Sequence, residues 1–321
     1  MTTYDMIRSG VFGVVTGDAL GCPVQFRDRE EVAVFPVTGM RGHGTFDLPK
    51  GTWTDDSSLT LALLSAIADT GTIDLKYVMD NFVDWLDHGG FTPFGVSFDI
   101  GRGTMRAIRD YAHRHDPRRC GGDEVTNNGN GSLMRILPAC LYAHVKGLDD
   151  AEAVRQIHLA GSLTHAHIRA NIACGLYYFM VKAILSGDGT LTQRLQRGLD
   201  RGFEFYEKTL YDCDDDIGAY RRLRDLTAFA ALPEDAIRST GYVVDTLEAA
   251  VWTLITTDSF PDALLKAVNL GYDTDTVGAV AGGLAGLFYG YGAIPADWID
   301  ALQRWAWIDG ICRRAAETLG D

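Results

Sequence analysis

Thr52-Trp53-Thr54-Asp55-Asp56-Ser57-Ser58-Leu59-Thr60-Leu61-Ala62-Leu63-Leu64-Ser65-Ala66-Ile67-Ala68 is the stretch on which the fold class turns. Leu59 to Ala68 carries no charge, and its length and apolar content are those of a helix. A helix that is apolar on every side belongs in the interior. Gly71 supplies a stop. The sequence therefore predicts a central helix over Thr54–Thr70, with the carboxylates of Asp55 and Asp56 at its N-terminal rim.

A second uncharged run, Val277 to Ile294, carries Gly278, Gly282, Gly286 and Gly290 at four-residue spacing. A membrane helix begins in this way, and so does a buried helix packed closely on a neighbour. The run follows Asp273 and Asp275 directly and has no basic flank to orient it, which favours burial. Further helices are expected at Ala151–Gly161, Ile168–Leu185, Thr240–Thr256 and Thr276–Tyr289. No alternating strand pattern stands out; Val32 to Gly44 is compatible with a short strand or with loop. No Pro/Ser-rich linker or fixed-period repeat divides the chain. Asp212–Asp216 and Arg221–Asp225 are expected as a solvated connection, since the former lacks the glycine and terminal glutamate of a calcium loop. The expectation is an all-α chain forming one domain over residues 1–321.

The formal charge of −14 argues against a broad basic face for extended nucleic acid or anionic membranes. An anionic small substrate remains compatible, because a metal or a few backbone N–H groups reverse the field locally. Six scattered cysteines include no CxxC pair and no zinc spacing, and His113, His115 and His167 form no ligand pattern. Buried thiols and a reducing compartment follow. Met1 to Gly10 contains Asp5 and Arg8 and no apolar core of a signal peptide, so a cytoplasmic protein is expected.

The chemistry concentrates at two helix starts. At Thr54-Asp55-Asp56 the simplest role is capping, since hydroxyl or carboxylate oxygens accept from the open N–H groups and negative charge suits that end of the dipole. Asp273-Thr274-Asp275-Thr276 repeats the composition before the second uncharged helix. If the two starts meet, four carboxylates need a counter-charge or they raise one another's pKa. Hard divalent ions take such oxygens as ligands. Asn128-Gly129-Asn130-Gly131-Ser132 reads as a polar turn whose backbone N–H groups could approach a phosphate.

Five motifs in order give these residues a context. They are Gly17-Asp18-Ala19-Leu20-Gly21, Trp53-Thr54-Asp55-Asp56, Asn128 to Arg135, Thr164-His165, and Gly271 to Thr276. On them the chain resembles the ADP-ribosylglycohydrolase superfamily, which includes dinitrogenase reductase-activating glycohydrolases and the ADP-ribosyl-arginine and ADP-ribosyl-serine hydrolases. The resemblance implies a compact orthogonal bundle of many helices around two Mg²⁺ ions, with Mn²⁺ as a substitute. It implies Thr54, Asp55, Asp56, Asp273, Asp275 and Thr276 as metal ligands. Asn130, Gly131 and Ser132 would contact diphosphate or ribose, with His165 and Gln25 also on the substrate side. Arg135 would be a phosphate partner or an ion-pair residue. Asp99 matches a position proposed to act as acid or base beside the metals, with Asp55 and Asp56 as the other candidates. Many relatives have glutamate at the position of Gln25, and glutamine can neither ionise nor shuttle a proton.

The implied reaction is hydrolysis of the C1″ glycosidic bond of an ADP-ribosylated protein, arginine favoured over serine as the leaving group, through an oxocarbenium-like transition state. ADP-ribose and the modified protein are the implied partners. Two other readings of the same residues are hydrolysis of small or nucleobase ADP-ribose conjugates, and an inactive relative that binds ADP-ribose.

Overall fold

The glycine spacing that marks the run after Asp275 recurs at Gly13, Gly17 and Gly21, and these two sets of glycines organise the molecule. The structure, a computed structural model, describes residues 1–210 and 213–320. Its first eight helices are α1 Thr3–Gly21, α2 Arg29–Val34, α3 Asp55–Thr70, α4 Leu75–His88, α5 Arg102–Arg114, α6 Leu137–Val145, α7 Asp150–Gly161 and α8 Ile168–Ser186. There follow α9 Leu191–Thr209, α10 Asp214–Gly218, α11 Leu226–Ala230, α12 Val243–Ile255, α13 Phe260–Val268, α14 Thr274–Tyr289, α15 Ala296–Ala301 and α16 Trp305–Leu319. Among the described residues β pairing is confined to three isolated bridges. The fold is all-α.

Helices α1 and α14 touch backbone to backbone. A Cβ built on Gly17 would lie 1.9 Å from the Gly278 carbonyl oxygen, and one on Gly13 would lie 2.1 Å from that of Gly282. From the other side, a Cβ on Gly286 would lie 2.1 Å from the Ser9 carbonyl oxygen. Such proximity brings Cα–H groups against carbonyls and maximises dispersion, and no side chain fits between the helices. Helices α3, α6, α13 and α16 pack around α1, while α8, α12 and α13 pack around α14. The apolar residues they enclose form one connected cluster. Every residue of α14 from Thr274 to Leu287 is buried, which answers the membrane question for this helix. At 16 residues it is also shorter than the roughly 20 a span needs. The helix α8 is long and apolar enough to cross a membrane, and it too is largely buried in this fold.

Several local expectations change. The segment Val32 to Gly44 contains no strand: it opens on the last turn of α2, which begins at a capping box between Asp28 and Glu31. Helix α12 starts at Val243 instead of Thr240, because the Thr240 hydroxyl accepts from the Tyr242 N–H and closes a turn. Asp212 lies outside the described residues. Asp214 to Asp216 form the start of α10, and Asp216 pairs with Arg169 at 2.8 Å, so this acidic patch is not merely solvated.

Gly17→Ala and Gly282→Ala are expected to destabilise the protein by about 3 kcal/mol or more, since the new methyl meets backbone that cannot yield locally. Gly310 lies inside α16 with nothing within 4 Å of its would-be Cβ. Gly310→Ala should therefore stabilise by about 0.5–1 kcal/mol through helix propensity. Urea unfolding of the three variants checks both signs.

Candidate active site

Asp18 sits in α1 with no solvent exposure. Its carboxylate accepts from the Thr54 N–H at 2.9 and 3.0 Å, the Ser57 N–H at 3.0 Å and the Ser57 hydroxyl at 2.5 Å. It therefore caps α3 from another helix. Thr54 occupies the N-cap position but makes no side-chain cap hydrogen bond. The capping reading of Thr54-Asp55-Asp56 is overturned, because Asp18 performs that task. Burial pushes the Asp18 carboxyl up to about 7 against the opposing effect of these donors.

The two acidic helix starts meet. Oδ2 of Asp56 accepts from the hydroxyls of Thr54 and Thr276, each at 3.3 Å. The start of α14 is held there by the glycine contact: a Cβ on Gly21 would lie 2.4 Å from the Asp275 Cα, and the Thr274 hydroxyl donates to the Gly21 carbonyl at 2.8 Å. Asp273 is tied in by the Asn130 amide, which donates to its Oδ2 at 2.6 Å and to the Thr246 hydroxyl at 2.9 Å.

The electrostatics of this cluster are unfavourable as it stands. Burial raises the pKa of Asp55, Asp56 and Asp275 well above the usual carboxylate range, and neighbouring carboxylates push in the same direction. Burial likewise raises Asp99 and Asp273, opposed by hydrogen bonds that include Gln25. Among the described residues, Oδ1 of Asp56 and Oδ2 of both Asp275 and Asp99 are buried with no hydrogen-bond partner, as is Oε1 of Gln25. A bare buried carboxylate oxygen is costly, and a cation removes both the repulsion and the missing partners. Among the described residues no group of three or more His, Cys, Asp or Glu side chains is arranged to hold a metal ion by itself. The hydroxyls of Thr54 and Thr276 widen the oxygen set, which has the chemistry of a hard divalent ion site.

A cavity of about 920 Å³ opens over the cluster. Gln25, Asp55, Asp99, Asn130, Gly131, His165, Asp273 and Thr276 line it, while Thr54, Asp56 and Asp275 are buried and do not line it. Asp99 has φ +55°, a left-handed conformation that Asp tolerates better than most residues. Ser132 departs from expectation: its side chain is fully buried and accepts from the Cys174 thiol at 3.6 Å, away from the cavity. The loop reaches the cavity through Gly129, Asn130 and Gly131 instead. Among the described residues Arg135 has no ion-pair partner, and it does not line the cavity where a phosphate would sit. It has no exposure and donates to the Ala160 carbonyl at 3.2 Å and the Thr164 hydroxyl at 2.8 Å.

Two rim residues had no signal in the sequence. Phe26 and Tyr272 both line the cavity, at 66 % and 47 % exposure, and both have positive φ, +66° and +62°. For bulky aromatic residues this conformation costs about 1–3 kcal/mol. It is enforced by backbone bonds from Phe26 N–H to the Tyr272 carbonyl at 2.7 Å and from Tyr272 N–H to the Arg27 carbonyl at 2.6 Å.

A sequence profile described as ADP-ribosylglycohydrolase matches residues 1–321. The chain belongs to the ADP-ribosylglycohydrolase family, whose members hydrolyse glycosidic bonds. It is 31 % identical over 300 residues to an ADP-ribosylarginine hydrolase of Serratia proteamaculans, covering 94 % of this chain and 76 % of the relative. It is 30 % identical to the ADP-ribosyl-[dinitrogen reductase] glycohydrolase of Rhodospirillum rubrum, covering 94 % and 92 %. A solved structure described as an ADP-ribosylglycohydrolase-related protein complex superposes with a TM-score of 0.79 at 30 % identity, covering 99 % of each chain. This family fold is the one the sequence resemblance implied.

The raised carboxyl groups fix a sign for the metal-free protein. With folded pKa values above the unfolded ones, the folded state binds more protons once the pH passes about 4. The resulting stability is full at lower pH and is lost as pH rises through the folded values, about 7 for Asp18. In chelator, the urea midpoint should fall between about pH 5 and about pH 8. A midpoint that climbs over that interval contradicts the electrostatic account.

Proposed function

We propose that this ADP-ribosylglycohydrolase family member cleaves the C1″ glycosidic bond of ADP-ribosylated proteins at a two-Mg²⁺ centre, with arginine preferred over serine as the leaving group. The observation that carries the reading is the junction at Asp56, where hydroxyls from both helix starts converge beside carboxylate oxygens that lack partners. Thr54, Asp55, Asp56, Asp273, Asp275 and Thr276 would hold the ions. Mg²⁺, or Mn²⁺ in its place, supplies Lewis-acid stabilisation of negative charge and orientation of ribose oxygens when bound.

The remaining work falls to the chain. Water adds at C1″, the bond to the side-chain nitrogen or oxygen breaks, and the leaving group takes a proton. Asp99 is favoured over Asp55 and Asp56 for proton handling. Asp99 and Asp55 both line the cavity, whereas Asp56 does not and is engaged by two hydroxyls; Asp55 is one of the proposed metal ligands, which leaves Asp99. Gln25 opposes the rise that burial imposes on Asp99 and Asp273 without cancelling it, so both carboxyls stay above the usual range. That gives the glutamine a positive role and supports an active enzyme over an inactive binding relative. Protein substrates are supported by the names of the Serratia and Rhodospirillum relatives. The preference for arginine is supported by the exposed faces of Phe26 and Tyr272 at the cavity rim, since a planar guanidinium binds aromatic faces and a serine oxygen does not.

Chelation should abolish release of ADP-ribose from modified peptides, and Asp55→Asn and Asp275→Asn should each lower kcat by about 100-fold or more without loss of helical content. Full turnover after thorough metal removal would overturn the mechanism. Tyr272→Ala should lower kcat/KM for an arginine-linked peptide by about five- to tenfold and leave a serine-linked one nearly unchanged. Release from serine alone would reject the preference.

A further inference from the structure

Arg135 is a buried cation with no carboxylate partner among the described residues. Its guanidinium packs on the Phe82 ring, 4.8 Å from the centroid, and donates to the carbonyls of Ala160 and Gly161 and to the Thr164 hydroxyl. Its Nε has no partner among the described residues. Burial lowers its pKa only to about 10, so it stays charged at neutral pH. A charged group held this way is expensive, and packing alone gives no reason to prefer it to an apolar residue. Its contact with Thr164 leads to the cavity, because the same hydroxyl lies 2.9 Å from Nδ1 of His165.

The direction of that second bond follows from counting protons. A guanidinium only donates, so the Thr164 oxygen is the acceptor towards Arg135. The hydroxyl has one proton to give, and among the described residues the acceptor in reach is His165 Nδ1. Were Nδ1 protonated, that hydroxyl proton would be buried without an acceptor, at the usual cost of an unmade bond. A doubly protonated ring meets the same objection, and it would also place a second buried cation near Arg135. Nε2 therefore carries the ring proton. It faces the cavity between glycines: a Cβ on Gly103 would lie 3.2 Å and one on Gly129 3.3 Å from it.

We propose that Arg135, acting through Thr164, fixes His165 as the neutral Nε2–H tautomer, so that the substrate-side role the family resemblance implies for His165 is performed as a hydrogen-bond donor. Arg135 and Thr164 are then positioning residues, and His165 is the group that touches substrate. The glycines at 103, 129 and 131 are part of the same device. A methyl group on Gly131 would stand 2.7 Å from the His165 Cε1, and one on Gly103 or Gly129 would crowd the donor. The proposal rests on the reading of the cavity as an ADP-ribosyl site, but its central statement concerns the protein without ligand.

Nitrogen-15 NMR of the ligand-free protein reads the tautomer directly. Wild type and Thr164→Ser should show a neutral His165 protonated at Nε2 between about pH 5 and about pH 8, and Thr164→Val a mixture of tautomers. In calorimetry, Thr164→Val should bind ADP-ribose about tenfold more weakly than wild type, with Thr164→Ser close to wild type. A wild-type ring protonated at Nδ1, or carrying both protons at neutral pH, overturns the proposal. So does a Thr164→Val variant that binds ADP-ribose as tightly as wild type. If that variant fails to fold, the wild-type spectrum decides. Absence of hydrolysis with the expected tautomer and ADP-ribose affinity would reject the reaction under Proposed function and leave this inference standing.

Discussion

The backbone contact between α1 and α14 is the constraint on which the rest of the structure depends. Glycines along that seam let the helices approach until backbone meets backbone, so the position of one constrains the position of the other. The catalytic candidates inherit that constraint. Asp18 projects from α1 beside Gly17, and Asp275 has its backbone against Gly21, so one seam locates both the cap of α3 and the start of α14. Such a contact also explains why the glycines are tolerated inside long helices. Each costs about 1 kcal/mol of helix propensity relative to alanine, which dispersion and Cα–H contacts along the seam offset.

Asp18 then separates two tasks that compete for the same atoms. A helix N-terminus buried in a core must have its N–H groups satisfied. Local capping would consume the oxygens of Thr54, Asp55 or Asp56 for that purpose. With the cap delivered from α1, the Thr54 hydroxyl turns to Asp56, and Oδ1 of Asp56 is left without a partner. The protein accepts the cost of bare, buried carboxylate oxygens at the position where a hard cation would repay it. The strained backbone at Asp99, Phe26 and Tyr272 belongs to the same pattern, in which unfavourable local states collect around one cavity.

Most of the architecture was legible because it is written in long periodic segments. Uncharged helices such as α3 and α14 declare burial by composition, and Gly71 marks a stop. Paired carboxylates at two helix starts likewise pointed to one cluster. Three features were not legible, for distinct physical reasons. The cap on α3 comes from a residue 36 positions away from Thr54, so no local pattern distinguishes capping by Thr54 from capping by Asp18. The side-chain direction within the Asn130–Ser132 turn depends on tertiary packing, which sends Ser132 towards Cys174. The positive φ of Phe26 and Tyr272 is imposed by hydrogen bonds between segments far apart in sequence, against the residues' own preference.

Gln25 is best understood by counting charge. Asp18 is engaged in the cap of α3, where Thr54 and Ser57 donate to it. The other five carboxylates, Asp55, Asp56, Asp99, Asp273 and Asp275, face the proposed metal site, and on that reading two divalent ions answer four of their charges. A glutamate at position 25 would add a sixth carboxylate to a buried site, and holding it would require another proton or a more exposed arrangement. Glutamine instead brings N–H donors to Asp99 and Asp273 and leaves one negative charge over. One proton balances that excess. Among the five, Asp99 combines an unpartnered oxygen with a place on the cavity wall, so it is the carboxylate best placed to take that proton and pass it to a departing side chain. The substitution that looked like a lost acid in the sequence thus narrows the acid–base role to one residue.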